Sequence, residues 1–197
     1  RAMNRVLIIC GSAGRGGVTE TMCQAAAEVF RANNCDVYVA YPSDMDIHHC
    51  TGCDACAEGR CSIDDDMGVL YRLFGESDLV VLATPLHFSG PSSLLKTVLD
   101  RFQAYWHDKV LPHPLACCAM LCAGSPEPNF APTVSILKAF SITTKMKWIG
   151  HMEFPDTDAR GDEGAADAVR GFIEGILAPR DSLSAAQLWP PCSQGSE

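Results

Sequence analysis

The sequence lacks the features by which proteins attach to membranes or nucleic acids. No apolar run reaches the roughly 18 residues that a membrane-spanning helix needs. No lysine and arginine run is present, and the formal charge of −9 reflects 24 acidic against 15 basic residues, which leaves no basic patch for nucleic acid or anionic lipid. The printed sequence also opens on a strand-like segment instead of a charged and then apolar leader. We therefore expect a cytoplasmic protein with no nucleic-acid or membrane partner.

The cysteines also lack the even number that complete pairing into disulfides would require. The chain has 11 cysteines, which is awkward for a fully paired disulfide framework and fits a reducing compartment. Four of them lie in apolar strand-like runs, where a free cysteine behaves as a small buried hydrophobe. These four are Cys10, Cys117, Cys118 and Cys122.

Internal repeats and low-complexity blocks are absent, and 197 residues with 47% hydrophobic content suit one closed core. Apolar runs alternate with segments of helical periodicity, which predicts strands at 5–10, 35–42, 78–88, 114–125 and 146–154, and helices at 18–34, 64–77, 91–106, 131–144 and 164–177. Strands that are apolar on both faces indicate a parallel sheet covered on both sides. We expect a single domain at 1–178, a cysteine-rich insertion at 43–63 and a Pro/Ser-rich tail at 179–197.

The segment "GSAGRGGVTE" (11–20) leaves the first predicted strand and enters the first helix. Backbone N–H groups in such a turn can bind a phosphate, and Ser12, Thr19 and Arg15 add hydroxyl groups and positive charge. The segment lacks the lysine-ended loop of nucleoside triphosphatases. It also lacks G-x-G-x-x-G in register, and no acidic residue ends the second strand, which disfavours a dinucleotide site of the Rossmann type. The glycines alone are compatible with an ordinary tight turn.

Three segments together carry a resemblance to a known family. "GSAGRGGVTE" resembles the phosphate loop of flavodoxin-like flavoproteins, and "TPLHFSGPSSLLKTVLDR" (84–101) resembles their flavin-ring loop and following helix. With "CTGCDACAEGRCSIDDDM" between them, the chain resembles the iron-sulfur flavoprotein family, a branch of the NADPH-dependent FMN reductase superfamily. The resemblance implies an α/β fold, a flavodoxin-like doubly wound five-stranded parallel sheet with strand order 2-1-3-4-5.

The resemblance also implies the residues of an FMN site. It assigns the phosphate to Ser12, Arg15, Gly16, Gly17, Val18 and Thr19. It assigns the isoalloxazine ring to Thr84, Pro85, Leu86, His87 and Phe88, with the other edge closed by Gly124 and Ser125. Val18 stands where the family usually has Asn, and His87 stands where many relatives have Tyr. All these loops follow the carboxyl ends of predicted strands, where open parallel sheets bind their ligands.

Four cysteines in the spacing C-x2-C-x2-C-x4-C lie within a single loop: Cys50, Cys53, Cys56 and Cys61. Thiolates at this spacing can ligate a four-iron four-sulfur cluster, because the short intervals bring three sulfurs to one face and the fourth closes the shell. Two alternatives stay open. The cysteines could bind a structural zinc ion, although zinc is usually held by two separated pairs of cysteines, or they could be free or oxidised thiols. Because oxygen can strip such clusters, an aerobic preparation is expected to show bare cysteines even where the native protein carries iron.

Charged residues near these motifs are interpreted as ordinary surface charges. His48 and His49 precede the cysteine loop and are expected to be solvated. The aspartates at 64–66 precede a predicted helix, where carboxylates interact favourably with the helix dipole. A charged face of the helix after the flavin-ring loop is assigned to Lys96, Asp100 and Arg101.

Three function hypotheses follow from these motifs. The first is electron transfer between FMN and the cluster, with electrons supplied by a ferredoxin-like partner. The second is an NAD(P)H-dependent FMN or quinone reductase in which the cysteines are idle or structural. The third is a redox or oxygen sensor. The family resemblance further implies a homodimer or homotetramer with the cluster near the flavin of a neighbouring subunit.

Overall fold

The computed structural model describes residues 5–107 and 110–178. Five parallel strands form the sheet: β1 Arg5–Cys10, β2 Asp36–Ala40, β3 Leu79–His87, β5 Ala116–Cys122 and β6 Lys147–Phe154. A two-residue strand, β4 Gly90–Pro91, pairs antiparallel with the end of β3. The order is β2-β1-β3-β5-β6, so the parallel strands follow the predicted order 2-1-3-4-5. The predicted tail at 179–197 lies outside the described residues, and the single-domain organisation stays a prediction.

The helices alternate with the strands, although their bounds differ from the prediction in places. They are α1 Val18–Ala32, α2 Met67–Glu76, α3 Ser93–Asp100, α4 Ala131–Thr143, α5 Thr157–Arg160 and α6 Ala165–Leu177. The predicted helix at 91–106 is too long: α3 ends at Asp100, and the chain continues as a 3₁₀ turn at Gln103–His107. Within the described residues no helix is both long and apolar enough to span a bilayer.

The sheet carries a hydrophobic core on each face because successive side chains of a strand point to opposite sides. In β1, Val6 and Ile8 pack with α1 and α6, whereas Leu7 and Ile9 pack with α2, α3 and α4. The same alternation runs through β3 and β5. It explains why the sequence shows continuous apolar runs, and it buries the four strand cysteines as predicted, Cys10, Cys117, Cys118 and Cys122.

The connections at the carboxyl ends of the strands contain the candidate functional segments. The glycine-rich loop joins β1 to α1, and the β3–β4 hairpin leads into α3. The longest of these connections, residues 41–66, joins β2 to α2 and holds two short 3₁₀ turns, Pro42–Asp44 and Ala55–Glu58. The predicted insertion at 43–63 lies within this connection.

Candidate functional site

The glycine-rich loop is arranged around a carboxylate. Helix α1 begins after Gly17, which has no side chain to cap it, and the first N–H groups of a helix have no carbonyl partner within the helix. The carboxylate of Glu20 accepts the backbone N–H of Gly16 at 2.5 Å and lies 2.8 Å from the guanidinium of Arg15. The donors of this loop therefore already converge on an oxyanion.

Arg15 and Thr19, both predicted phosphate contacts, occupy different environments. The Arg15 guanidinium lies 2.9 Å from a carboxylate oxygen of Asp44 and 3.6 Å from the ring centroid of Tyr41. Thr19 is buried, and its Oγ1 lies 3.3 Å from the sulfur of Cys122, so its hydroxyl points into the core. The predicted phosphate contacts that retain exposed surface are Ser12, Arg15, Gly16, Gly17 and Val18.

The phosphate loop and the flavin-ring loop are joined through the start of α3. The hydroxyl of Ser92 donates to the carbonyl of Gly11 at 2.5 Å, and the N–H of Ser92 donates to Oγ1 of Thr84 at 3.0 Å. Gly11 is tightly enclosed, since a Cβ there would lie 2.8 Å from both the carbonyl oxygen of Ala83 and the Cβ of Leu95. Ser92 thus joins the two loops, and the buried hydroxyl of Thr84, a predicted ring contact, accepts its backbone N–H.

The flavin-ring loop forms a tight hairpin. His87 pairs with Gly90, and the two residues between them, Phe88 and Ser89, have φ angles of 51° and 61°. This is the left-handed region, which a type I′ hairpin turn requires at both of its central residues and which residues other than Gly, Asn and Asp rarely adopt. Phe88 is fully exposed at the tip, and the carbonyl of Ser89 accepts the hydroxyl of Thr133 at 2.8 Å. The hairpin thus presents an aromatic ring to solvent.

The remaining predicted ring contacts lie on neighbouring strands. Two are half-buried at the end of β3, namely Pro85 and Leu86. Pro85 is in register with Cys122 of β5, so the loop that follows β5, with Gly124 and Ser125, lies beside the hairpin. Gly124 packs against the carboxylate of Asp158, whose oxygens would lie 2.5 Å from a Cβ at that position. The structure therefore brings the three predicted FMN segments to one edge of the sheet.

The four clustered cysteines line a single cavity of about 320 Å³. Cys53 is exposed, and Cys50, Cys56 and Cys61 are half-buried. All four are free thiols, and within the described residues no group of three or more Cys, His, Asp or Glu side chains is placed to hold a metal ion. A four-iron cluster inserts iron and sulfide between its thiolates, so its ligands stand further apart than the four ligands of one zinc ion. The four thiols therefore share one cavity, and among the described residues they are not gathered closely enough to hold a single metal ion.

A buried arginine closes the cysteine loop. Nη1 of Arg101 donates to the carbonyl of His48 at 2.7 Å, and Nη2 lies 3.4 Å from the carbonyl of Ile63, so the guanidinium binds backbone two residues before the first cysteine and two after the last. Both nitrogens also bind the carboxylate of Asp65. The interpretation of Arg101 as part of a charged helix face is wrong, because its side chain has no exposed surface.

Asp65 is the second charge that the sequence interpretation placed on the surface. Its carboxylate also accepts the N–H of His48 at 2.9 Å and that of Met67 at 3.0 Å. Burial alone would raise its pKa, but the hydrogen bonds from Arg101 and from these two N–H groups outweigh burial and lower the pKa to about 2. The carboxylate that was expected only to complement the α2 dipole therefore also anchors the end of the cysteine loop.

The cysteine thiols differ in their surroundings. A hydrogen bond with Ser62, and a weaker one with the backbone of Ala55, lower the pKa of Cys53. Burial raises the pKa of Cys56. The cavity thus presents one exposed thiol that ionises more readily than an ordinary cysteine beside one that ionises less readily.

Comparison with solved structures shows the fold. An NAD(P)H:quinone oxidoreductase from Methanothermobacter marburgensis superimposes with a TM-score of 0.71 at 13% identity, over 91% of this chain and 100% of that one. A flavone reductase superimposes with a TM-score of 0.63 at 22% identity, over 87% of this chain and 62% of that one. The chain therefore has the doubly wound, flavodoxin-like architecture of these reductases.

Comparison with protein families identifies the chain further. The model of the NADPH-dependent FMN reductase family matches residues 4–158, and the chain belongs to this family. An iron-sulfur flavoprotein of Archaeoglobus fulgidus is 34% identical over 137 residues, which are 68% of this chain and 62% of that protein. An iron-sulfur flavoprotein of Methanocaldococcus jannaschii is 30% identical over 98 residues, which are 49% of this chain and 51% of that protein. The chain thus matches less than two thirds of the length of either relative.

Proposed function

We propose that the protein is an FMN-dependent oxidoreductase that passes electrons between FMN and a four-iron four-sulfur cluster ligated by Cys50, Cys53, Cys56 and Cys61. The observation that carries this proposal is that all four cysteines line one cavity, in a chain whose family is that of FMN reductases. The names of the iron-sulfur flavoproteins to which the chain is similar support the same conclusion.

Helix α3 connects the two proposed sites. Ser92, at its N-terminus, binds the phosphate loop and the flavin-ring loop, and Arg101, immediately after its last residue, lines the cysteine cavity. At 1.5 Å per residue, the backbone positions of these two residues are about 14 Å apart. The helix therefore fixes the separation between the FMN segments and the cysteine cavity within one protomer.

FMN would bind at the edge where the three FMN segments meet. The loop donors that now surround Glu20, the N–H of Gly16 and the guanidinium of Arg15, would bind the phosphate, together with Ser12, Gly17 and Val18. The flavin ring would lie against the β3–β4 hairpin, with contacts from Pro85, Leu86, His87 and Phe88, and its other edge would face Gly124 and Ser125. Thr19 and Thr84 would lie beneath the FMN site and support its loops, because their hydroxyls point into the protein.

Each bound group would supply a different kind of redox chemistry. FMN accepts and releases one or two electrons, whereas a four-iron cluster exchanges single electrons. The residues of this chain would place the two groups, limit the access of water and set the charge around each. We propose NAD(P)H or a ferredoxin-like protein as the electron donor, and assembly as a homodimer or homotetramer.

Anaerobic reconstitution with iron and sulfide tests the proposed function. The FMN-loaded wild-type protein is expected to take up about four irons per chain and to show a broad absorbance near roughly 400 nm besides the flavin bands. The Cys56→Ser variant should lose the iron and keep the flavin, whereas Cys118→Ala, a control in the buried sheet, should keep both. A wild-type protein that oxidises NADPH through FMN and takes up no iron would contradict the cluster and favour the reductase alternative.

A further inference from the structure

The guanidinium of Arg101 has one N–H group without a partner. Its Nη1 and Nη2 bind the carboxylate of Asp65 and two backbone carbonyls. Its Nε is the only buried side-chain nitrogen or oxygen within residues 5–107 and 110–178 that has no hydrogen-bond partner. A buried donor without a partner is costly, so an acceptor is expected at this position in the working protein.

The cysteine cavity is the place where that acceptor would lie. Arg101 lines it together with the four clustered cysteines. Burial would lower the pKa of Arg101, but the hydrogen bonds of Asp65 and an interaction with the side chain of Cys61 outweigh burial and raise it, so Cys61 lies beside the guanidinium. The side chain cannot turn away, because the contacts of Nη1 and Nη2 fix the plane of the guanidinium. The unpartnered N–H group is therefore held in place on a residue that lines the cavity.

We propose that Arg101 is a positioning residue of the iron-sulfur site, which closes the cysteine loop and donates its Nε–H to a sulfur of the bound cluster or of Cys61. This inference rests on the proposed function. Hydrogen bonds to the sulfurs and nearby positive charge favour the more negative, reduced form of a cluster. Arg101 would therefore raise the reduction potential of the cluster as well as shape its loop.

The Arg101→Lys variant separates this role from that of a buried ion pair. Lysine keeps the positive charge beside Asp65 but has no N–H group at the position of Nε and no planar fork. We expect reduction of the cluster to become about tenfold less favourable, which is about 59 mV for a one-electron couple. Lys96→Gln is the matched control, because it removes a positive charge from α3 that pairs with Asp100 and does not line the cysteine cavity. Lys96→Gln should change the equilibrium constant for reduction of the cluster by less than about twofold.

A measurement on the wild-type protein keeps the inference testable if Arg101→Lys fails to fold. Protein produced with arginine labelled with ¹⁵N in its guanidinium, reconstituted and reduced, should show a ¹⁵N coupling to the cluster in pulsed electron paramagnetic resonance. The Arg60→Lys variant, altered at the neighbour of Cys61 in sequence, should retain this coupling. Its loss in Arg60→Lys, or its absence from the wild-type protein, would overturn the assignment to Arg101.

The outcomes distinguish this inference from the function on which it rests. A reconstituted wild-type protein that binds FMN and no iron overturns both. A wild-type protein with a full cluster overturns the inference alone if Arg101→Lys has the same iron content and the same potential. A lowered potential in Arg101→Lys at unchanged iron content, with Lys96→Gln unaffected, supports it.

Discussion

Arg101 and Asp65 form an ion pair that is closed to solvent. The two charged groups meet side by side, with Nη1 2.6 Å from Oδ2 and Nη2 3.0 Å from Oδ1, and neither side chain has exposed surface. The pair joins the end of α3 to the end of the cysteine loop, across 36 residues of sequence. It thereby couples the proposed cluster loop to the helix that begins at the flavin-ring loop.

This ion pair predicts how stability depends on pH. The pKa of Asp65 is about 2 in the folded protein, below its ordinary value of 3.8, so the carboxylate contributes stability that is present above about pH 4 and lost as the pH falls towards 2. A shift of this size corresponds to about 2 kcal/mol. The free energy of unfolding, measured by chemical denaturation between about pH 5 and pH 2, should change less with pH in Asp65→Asn than in the wild-type protein.

The Asp65→Asn variant should also be less stable at neutral pH, by about 3–5 kcal/mol, because it leaves the charge of Arg101 buried without a partner. Asp167→Asn breaks an ion pair with Arg170 in which the aspartate is 86% exposed, so it should change the unfolding free energy by less than about 1 kcal/mol. Equal losses in the two variants would contradict a special role for the buried pair.

The close packing around Gly11 predicts that the phosphate loop tolerates no side chain at its first position. In Gly11→Ala the new Cβ would meet the carbonyl of Ala83 and the Cβ of Leu95, both at 2.8 Å, and we expect a loss of about 1–3 kcal/mol and weaker FMN binding. Gly14→Ala is the control, because its Cβ would meet no atom within 4 Å. Thermal unfolding and FMN titration of both variants test this; equal behaviour would contradict the close approach.

The contacts of Glu20 predict that its carboxylate competes with the FMN phosphate for the donors of the glycine-rich loop. Its carboxylate occupies the N–H of Gly16 and the guanidinium of Arg15, so Glu20→Gln should tighten FMN binding roughly fivefold by removing a negative charge beside the phosphate. The control Glu28→Gln lies further along α1 on its exposed side and should leave the affinity unchanged. Weaker FMN binding in Glu20→Gln would show that the carboxylate organises the loop instead of competing.

The hairpin tip predicts opposite effects on stability and on FMN binding. Because Phe88 has a φ of 51°, Phe88→Asn should stabilise the hairpin by about 1 kcal/mol. The loss of the aromatic ring should weaken FMN binding roughly fivefold. Ser89→Gly relieves the neighbouring φ of 61° and keeps the ring, so it should stabilise the protein without changing the affinity. An unchanged FMN affinity in Phe88→Asn would exclude a ring contact at this position.

Much of the fold could be predicted because it depends on local patterns. The alternation of apolar strands with helical periodicity predicted the parallel sheet, and the resemblance supplied the strand order. The predicted helix at 91–106 places Ser92 in its first turn, and the hydroxyl of Ser92 does accept the N–H of Leu95 at 3.1 Å. The strand β4 was missed because it has only two residues, Gly90 and Pro91, and its pairing depends on the turn before it.

The site was predictable where its residues are adjacent in sequence and not where it depends on distant contacts. The four cysteines stand within one loop, and the structure places them around one cavity. Arg101 and Asp65 were interpreted as surface charges because helical periodicity does not show that a charged residue is buried by a partner far along the chain. Glu20 was missed for a different reason: its contact with Gly16 exists only once the glycine-rich loop has folded.

Anaerobic reductive titration of the reconstituted, FMN-loaded protein tests the central claim most directly. With dithionite as the reductant, the account predicts an end point of about three electrons per chain, two for FMN and one for the cluster, with loss of the absorbance of both. An end point of about two electrons, with flavin bleaching alone and no iron in the sample, would contradict it.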